Sequence, residues 1–143
     1  RRIAARRRRW PVPLPDPRPL GIPLGILLLS GGHERAHYAL VLATGAAALG
    51  REVVIFATNA GCRLFLAPSL LLDDPREAAL AARGVAPIAT LLEAAAELGI
   101  RRIACEAGLR AEDLATAPLA EGVEVAGVVT FLTAVGEGQV VSL

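Results

Sequence analysis

The chemistry open to this chain rests on few side chains: two cysteines, Cys62 and Cys105, and two histidines, His33 and His37. Each cysteine follows an apolar run that reads as a strand. Val53-Val54-Ile55-Phe56-Ala57 leads to the loop Thr58-Asn59-Ala60-Gly61-Cys62, and Ile103-Ala104 leads directly to Cys105. A thiol beyond the carboxyl end of such a strand faces the start of the next helix, whose partial positive charge favours thiolate. Free cysteine is also a small hydrophobe that packs in cores, so position alone leaves both readings open. Cys105 leans toward chemistry because Glu106-Ala107-Gly108 is a polar, glycine-containing exit. Cys62 has Arg63 beside it, a cation expected to lower its pKa. His33 and His37 stand four positions apart on one helix face. His33 reads either as a base or donor near the thiol, or as a solvated first-turn residue.

Other constellations fall away. The two cysteines and two histidines lack the spacing of a compact zinc motif, so neither a metal site nor a cofactor is expected. Ser30-Gly31-Gly32 could cradle a small anion on backbone N–H groups, but it lacks the Lys and Ser/Thr of a P-loop and is not GxGxxG. There is no thioredoxin-like CxxC. The candidate site is therefore Cys105 and Cys62 for catalysis, with Ser30, Gly31, Gly32, His33, Asn59 and Glu106 as binding residues around them.

The elements that must position these residues read clearly along most of the chain. Leu24–Leu29 is a continuous apolar run closed by Ser30-Gly31-Gly32, the pattern of a buried parallel strand and its loop. A helix follows from His33 to Leu49, closed by Gly50, and then a strand over Glu52–Ala57. Residues 63–86 predict helical turns and a mobile loop. Beyond Pro87, the spacing of Ile88, Leu91, Leu92, Ala95 and Leu98 predicts a helix ending at Gly99. Arg101–Cys105 is a short strand, Glu106–Pro118 a polar and partly helical connection, Val123–Gly127 a strand, Val128–Val135 a helix and Gln139–Leu143 a last strand. Strands alternating with helices imply a single α/β domain in three layers, α/β/α, around a mostly parallel sheet of about five strands. Ligands of such sheets bind beyond the strands' carboxyl ends, where both cysteines fall.

Composition narrows the function classes. Of 143 residues 54% are hydrophobic, which excludes a disordered chain, and the length suits one domain. All fifteen basic residues are arginine, and seven of them lie in residues 1–20 against the single acid Asp16. The remainder is acidic, so a direct nucleic-acid partner is not expected. Residues 1–23 hold six of the ten prolines and read as a disordered Arg/Pro-rich tail. Basic residues followed by an apolar stretch give this tail the outline of a signal peptide, but the prolines interrupt it and no small-residue cleavage site follows. No uninterrupted apolar segment is long enough to span a membrane, and no membrane partner is expected.

From residue 24 onward the chain resembles the DsrE/DsrF-like family, small α/β proteins that include sulfur-relay subunits. The resemblance rests on Ile26-Leu27-Leu28-Leu29-Ser30-Gly31 with Ala39–Ala43, Gly50 and Val53–Phe56; on Leu91-Leu92-Glu93 through Leu98-Gly99-Ile100; and on Ile103-Ala104-Cys105 through Leu114 to Gly122–Val128 with Phe131-Leu132. It implies that residues 24–143 form a DsrE-like α/β domain and that Cys105 accepts persulfide sulfur, with Cys62 as a second relay or resolving thiol. It further implies persulfide donor and acceptor proteins as partners, a homo-oligomer (dimer, trimer or hexamer) and a cytoplasmic setting. The family often carries a longer, methionine-containing stretch after its cysteine, whereas Glu106-Ala107-Gly108-Leu109-Arg110 is short and has none. Two other classes stay open: a thiol redox protein that pairs Cys105 with Cys62, and a non-catalytic oligomer that binds a small anion or nucleotide at the strand ends.

Overall fold

A strand with apolar residues at every position has no face it can show to water, so it must be covered on both sides. Leu24–Leu28 (β1) and Val53–Ala57 (β2) are two such strands, and in the computed structural model, which describes residues 21–143, they pair at the centre of the sheet. Arg101–Cys105 (β3) and Val123–Ala126 (β4) extend the sheet on one side and Gln139–Ser142 (β5) on the other, giving the order β4-β3-β2-β1-β5. Every pairing is parallel, which sharpens the expected mostly parallel sheet. The chain steps outward from β1 to β4 and then returns to lie beside β1.

Two helices cover one face. His33–Ala48 (α1) and Ile88–Glu97 (α3) bury Ala36, Ala39, Leu40, Ile88, Leu91 and Ala95 against Ile26, Leu28, Ile55 and Ala57. Their ends were legible: the glycines that close them, Gly50 and Gly99, have φ of 85° and 69°, the left-handed conformation that glycine adopts without a Cβ penalty. The other face carries Val128–Val135 (α5), whose Phe131 and Val135 pack on Val54, Phe56 and Ile103. Phe131 stacks on Phe56 with ring centroids 5.0 Å apart.

The segment expected to be helical turns and a mobile loop is built from short helices. A 3₁₀ helix runs over Asn59–Phe65 and another over Leu70–Asp73, followed by the α-helix Arg76–Ala82 (α2). Every residue of α2 is at least partly exposed, so its attachment is polar. The carboxylate of Glu77 accepts from the N–H groups of Ile88 and Ala89 at 2.8 and 3.2 Å and pairs with His33 Nε2 at 2.6 Å. One side chain of α2 thus caps the start of α3 and ties it to the start of α1. Arg76 adds an exposed pair with Glu34 at 3.1 Å, and the Arg76 N–H donates to Asp74 Oδ1 at 2.8 Å.

Burial by itself would raise the Glu77 carboxyl; the hydrogen bonds from His33, Ile88 and Ala89 outweigh it and hold the group below its ordinary value of 4.5. A depressed carboxylate stabilises the fold above its unfolded value, and that stabilisation disappears as pH falls through the lower folded value. Glu77→Gln is therefore expected to lower stability at neutral pH by about 2 kcal/mol. It should also flatten the loss of stability on acidification below 4.5, both read from denaturant unfolding across pH.

Candidate functional site

The loops after β1, β2 and β3 meet beyond the carboxyl ends of the strands, and they meet backbone to backbone. A Cβ on Gly108 would stand 2.5 Å from the Asn59 N and 2.6 Å from Thr58 Oγ1, and one on Gly61 would collide with the Leu28 carbonyl. Only glycine permits approaches this close. Gly31 lies close on Ala60, where a Cβ would stand 2.9 Å from the Ala60 Cβ. Asn59 holds φ 49°, the left-handed region that asparagine tolerates better than most residues, and its Oδ1 accepts from Thr58 Oγ1 at 3.5 Å.

Cys105 is the last residue of β3 and also the N-cap of the helix Glu106–Ala111 (α4). The strand passes straight into this helix, and turns follow to Pro118, in line with the polar, partly helical connection that the sequence predicts over Glu106–Pro118. The Cys105 Sγ accepts from the Gly108 N–H at 3.4 Å, the contact that a serine or aspartate oxygen makes at other helix starts. Around it lie Phe56, Ile103 and Phe131, with Ala126 of β4 as its neighbour in register. The residue is 8% exposed.

Cys62 lies across the same strand. Side chains alternate across a strand, so Ala104 points away from Cys105, and Cys62 packs with Ala104 and Leu109. It sits within the 3₁₀ helix Asn59–Phe65 rather than in an open loop, is fully buried, and donates its S–H to the Ala57 carbonyl at 3.4 Å. Burial, together with the nearby Cys105 and Glu112, pushes its thiol up to about 11, against a smaller opposing effect of backbone N–H groups. The expectation that Arg63 would lower it is corrected: the Arg63 guanidinium faces Glu112 at 3.6 Å. At neutral pH Cys62 is a thiol.

His33 does not serve as a base beside a cysteine. Its Nε2 is taken by Glu77, its ring stacks on His37 at 6.0 Å, and His37 Nε2 bonds to the Ala86 carbonyl at 2.9 Å. The residue is buried, contrary to its alternative reading as a solvated first-turn residue. His33 shares a polar depression of about 400 Å³ with Ser30, Gly32, Arg35 and Arg76, at the carboxyl end of β1. There Ser30 Oγ accepts from the Gly32 N–H at 3.0 Å and closes the turn. Glu106, the first residue of α4, is exposed and pairs with Arg110 at 3.4 Å. The structure thus presses the Cys105–Gly108 turn on Thr58 and Asn59 and Gly31 on Ala60, leaves Glu106 exposed at the start of α4, buries Cys62 against Ala104 and Leu109, and assigns His33 to the α2 attachment. A second cavity, of about 370 Å³, lies at the opposite end of the strands between Arg51, Val53, Leu98 and Arg101, away from both thiols.

Gly108, which the sequence marks only as part of a glycine-containing exit, is the N–H donor to the Cys105 sulfur, and cysteine is not among the usual N-cap residues that would have announced the contact. Among the described residues no cluster of His, Cys, Asp and Glu is arranged to hold a metal ion.

The model of the DsrE/DsrF-like family matches residues 24–143. Among solved structures, the crystal structure of the YchN protein from E. coli is similar with a TM-score of 0.64 and 17% sequence identity, over 84% of this chain and 97% of that one. At that identity the likeness concerns the fold. No curated protein matches.

Two outcomes test the site. In the folded protein a small alkylating reagent at pH 8 is expected to modify Cys105 while sparing Cys62, whose thiolate fraction there is about one in a thousand; unfolding should release both, as read by mass spectrometry. Gly108→Ala is expected to cost about 2 kcal/mol in denaturant unfolding because the loops must part.

Proposed function

Because the chain belongs to the DsrE/DsrF-like family over residues 24–143, we propose that it is a persulfide carrier whose acceptor is Cys105. The observation that carries this reading is the seat of that sulfur. It lies at the junction of β3 and α4, accepts an N–H from Gly108 and keeps an edge toward solvent. The Cys105 thiolate attacks the terminal sulfur of a donor R–S–SH, a new S–S bond forms as the donor's breaks, and the donor leaves as R–S⁻. Cys105–S–SH then holds the terminal sulfur, and an acceptor thiolate removes it in the same way, so the two transfers need no oxidant.

Cys62 takes no covalent part in this scheme. Full burial and a thiol held near 11 leave it without thiolate to attack with, which also weighs against the peroxide-responsive reading that needs both cysteines. Both cysteines are free, as a reducing compartment would keep them, and the cytoplasm is the proposed setting. No helix among the described residues is long and apolar enough to cross a membrane. The proposed partners are persulfide donor and acceptor proteins. Among the described residues the edge strands β4 and β5 each pair with a strand on one side, an arrangement that supports the proposed homo-oligomer.

Intact-mass analysis after incubation with a cysteine desulfurase and cysteine tests the proposal. The wild type and Cys62→Ala are expected to gain one sulfur and Cys105→Ala none. A Cys105→Ala protein that gains as much as the wild type would sink the reading.

A further inference from the structure

Helix α4 is six residues long, too short to hold its own shape, so its start is only as well placed as the surface it packs on. That start supplies the N–H of Gly108 that the Cys105 sulfur accepts. The 3₁₀ helix Asn59–Phe65 forms part of the surface. At one end Gly108 leaves no room for a Cβ beside the Asn59 N, and at the other Arg63 pairs with Glu112, just past the last residue of α4, at 3.6 Å. Between these two points sits Cys62.

Its neighbours are the residues next to both partners of the N–H to sulfur contact. Cys62 packs on Ala104, which precedes Cys105, and on Leu109, which follows Gly108. Its S–H goes to the carbonyl of Ala57 at 3.4 Å, and Ala57 pairs in register with Ala104. The backbone N–H of Cys105 in turn acts on the Cys62 sulfur. One fully buried side chain thus joins the last residue of β2 to the end of β3 and to α4. A purely apolar side chain could fill the same space but could make neither polar contact.

We infer that Cys62 is a positioning residue for the reactive cysteine: its sulfur braces the junction of β3 and α4 so that Cys105 Sγ meets the Gly108 N–H. The inference rests on the persulfide reading for the use made of that contact, and it gives the second cysteine a role that needs no thiolate.

Three forms of the full chain test it: the wild type, Cys62→Ala, which removes the sulfur, and Cys62→Ser, which returns a donor and an acceptor to nearly the same place. Exchange of the Gly108 amide proton is followed by NMR. Alkylation of Cys105 by iodoacetamide at pH 8 and sulfur uptake from glutathione persulfide are followed by intact mass. In Cys62→Ala the Gly108 amide is expected to exchange about tenfold faster than in the wild type, while alkylation and sulfur uptake slow about tenfold and reach the same final mass gain. In Cys62→Ser all three rates are expected to stay within about threefold of the wild type. A side chain that only fills space would lower the unfolding temperature of both variants and leave the Gly108 amide and the Cys105 rates unmoved, which would overturn the inference. A serine protein as slow as the alanine one would overturn it too, since that result marks a covalent role for the Cys62 sulfur. If the alanine protein does not fold, Cys62→Val, which fills the space without a polar atom, is expected to give the same three changes. A wild type that takes no sulfur from glutathione persulfide would overturn the persulfide reading, while amide exchange and alkylation still decide the role of Cys62.

Discussion

Burial of β1 and β2 on both faces is the constraint from which the rest of the molecule follows, because nine of their ten residues are buried and the tenth, Leu27, is half-buried. Such strands need helices above and below, and parallel strands need crossovers that return over the sheet. Every crossover then starts at the same end, so three loops of different sequence are pressed together beyond β1, β2 and β3. The glycines at 31, 61 and 108 are the local answer to that crowding. The closeness of these loops is thus a by-product of packing: the turn after Cys105 is pressed on Thr58 and Asn59, and Gly31 on Ala60.

Strand parity gives the two cysteines different fates. Cys105 closes β3 on the face that, among the described residues, α5 covers. Cys62 lies over the opposite face of β3, sealed beneath α4 against Ala104 and Leu109. The same element and similar apolar surroundings leave one sulfur at a helix start with an N–H aimed at it and the other as an S–H donor to a carbonyl. Burial decides the second case, since the charged form would have to leave water without a cation to meet it.

Much of this was legible in the sequence because apolar runs and closing glycines are local signals. The five strands, α1, α3 and α5 fall where periodicity predicts them, within a residue or two at their ends. What was not legible depends on contacts between distant positions. His33 looked available for catalysis because its partner, Glu77, stands 44 positions away on a short helix that buries no residue of its own. Thr58–Cys62 looked like an open loop because a 3₁₀ turn has no periodic signature over so few residues. The neighbouring arginine suggested an ionised Cys62; sequence adjacency carried no information on Glu112, which faces that guanidinium.

Helix α2 joins the molecule through carboxylates and backbone N–H groups rather than through buried side chains. Its opening is therefore expected to cost less free energy than that of the core. Amide protons there exchange by local opening long before the strands release theirs. Because no core packing passes through it, this stretch is also where the fold tolerates changes of length or sequence, provided that a carboxylate still reaches the start of α3.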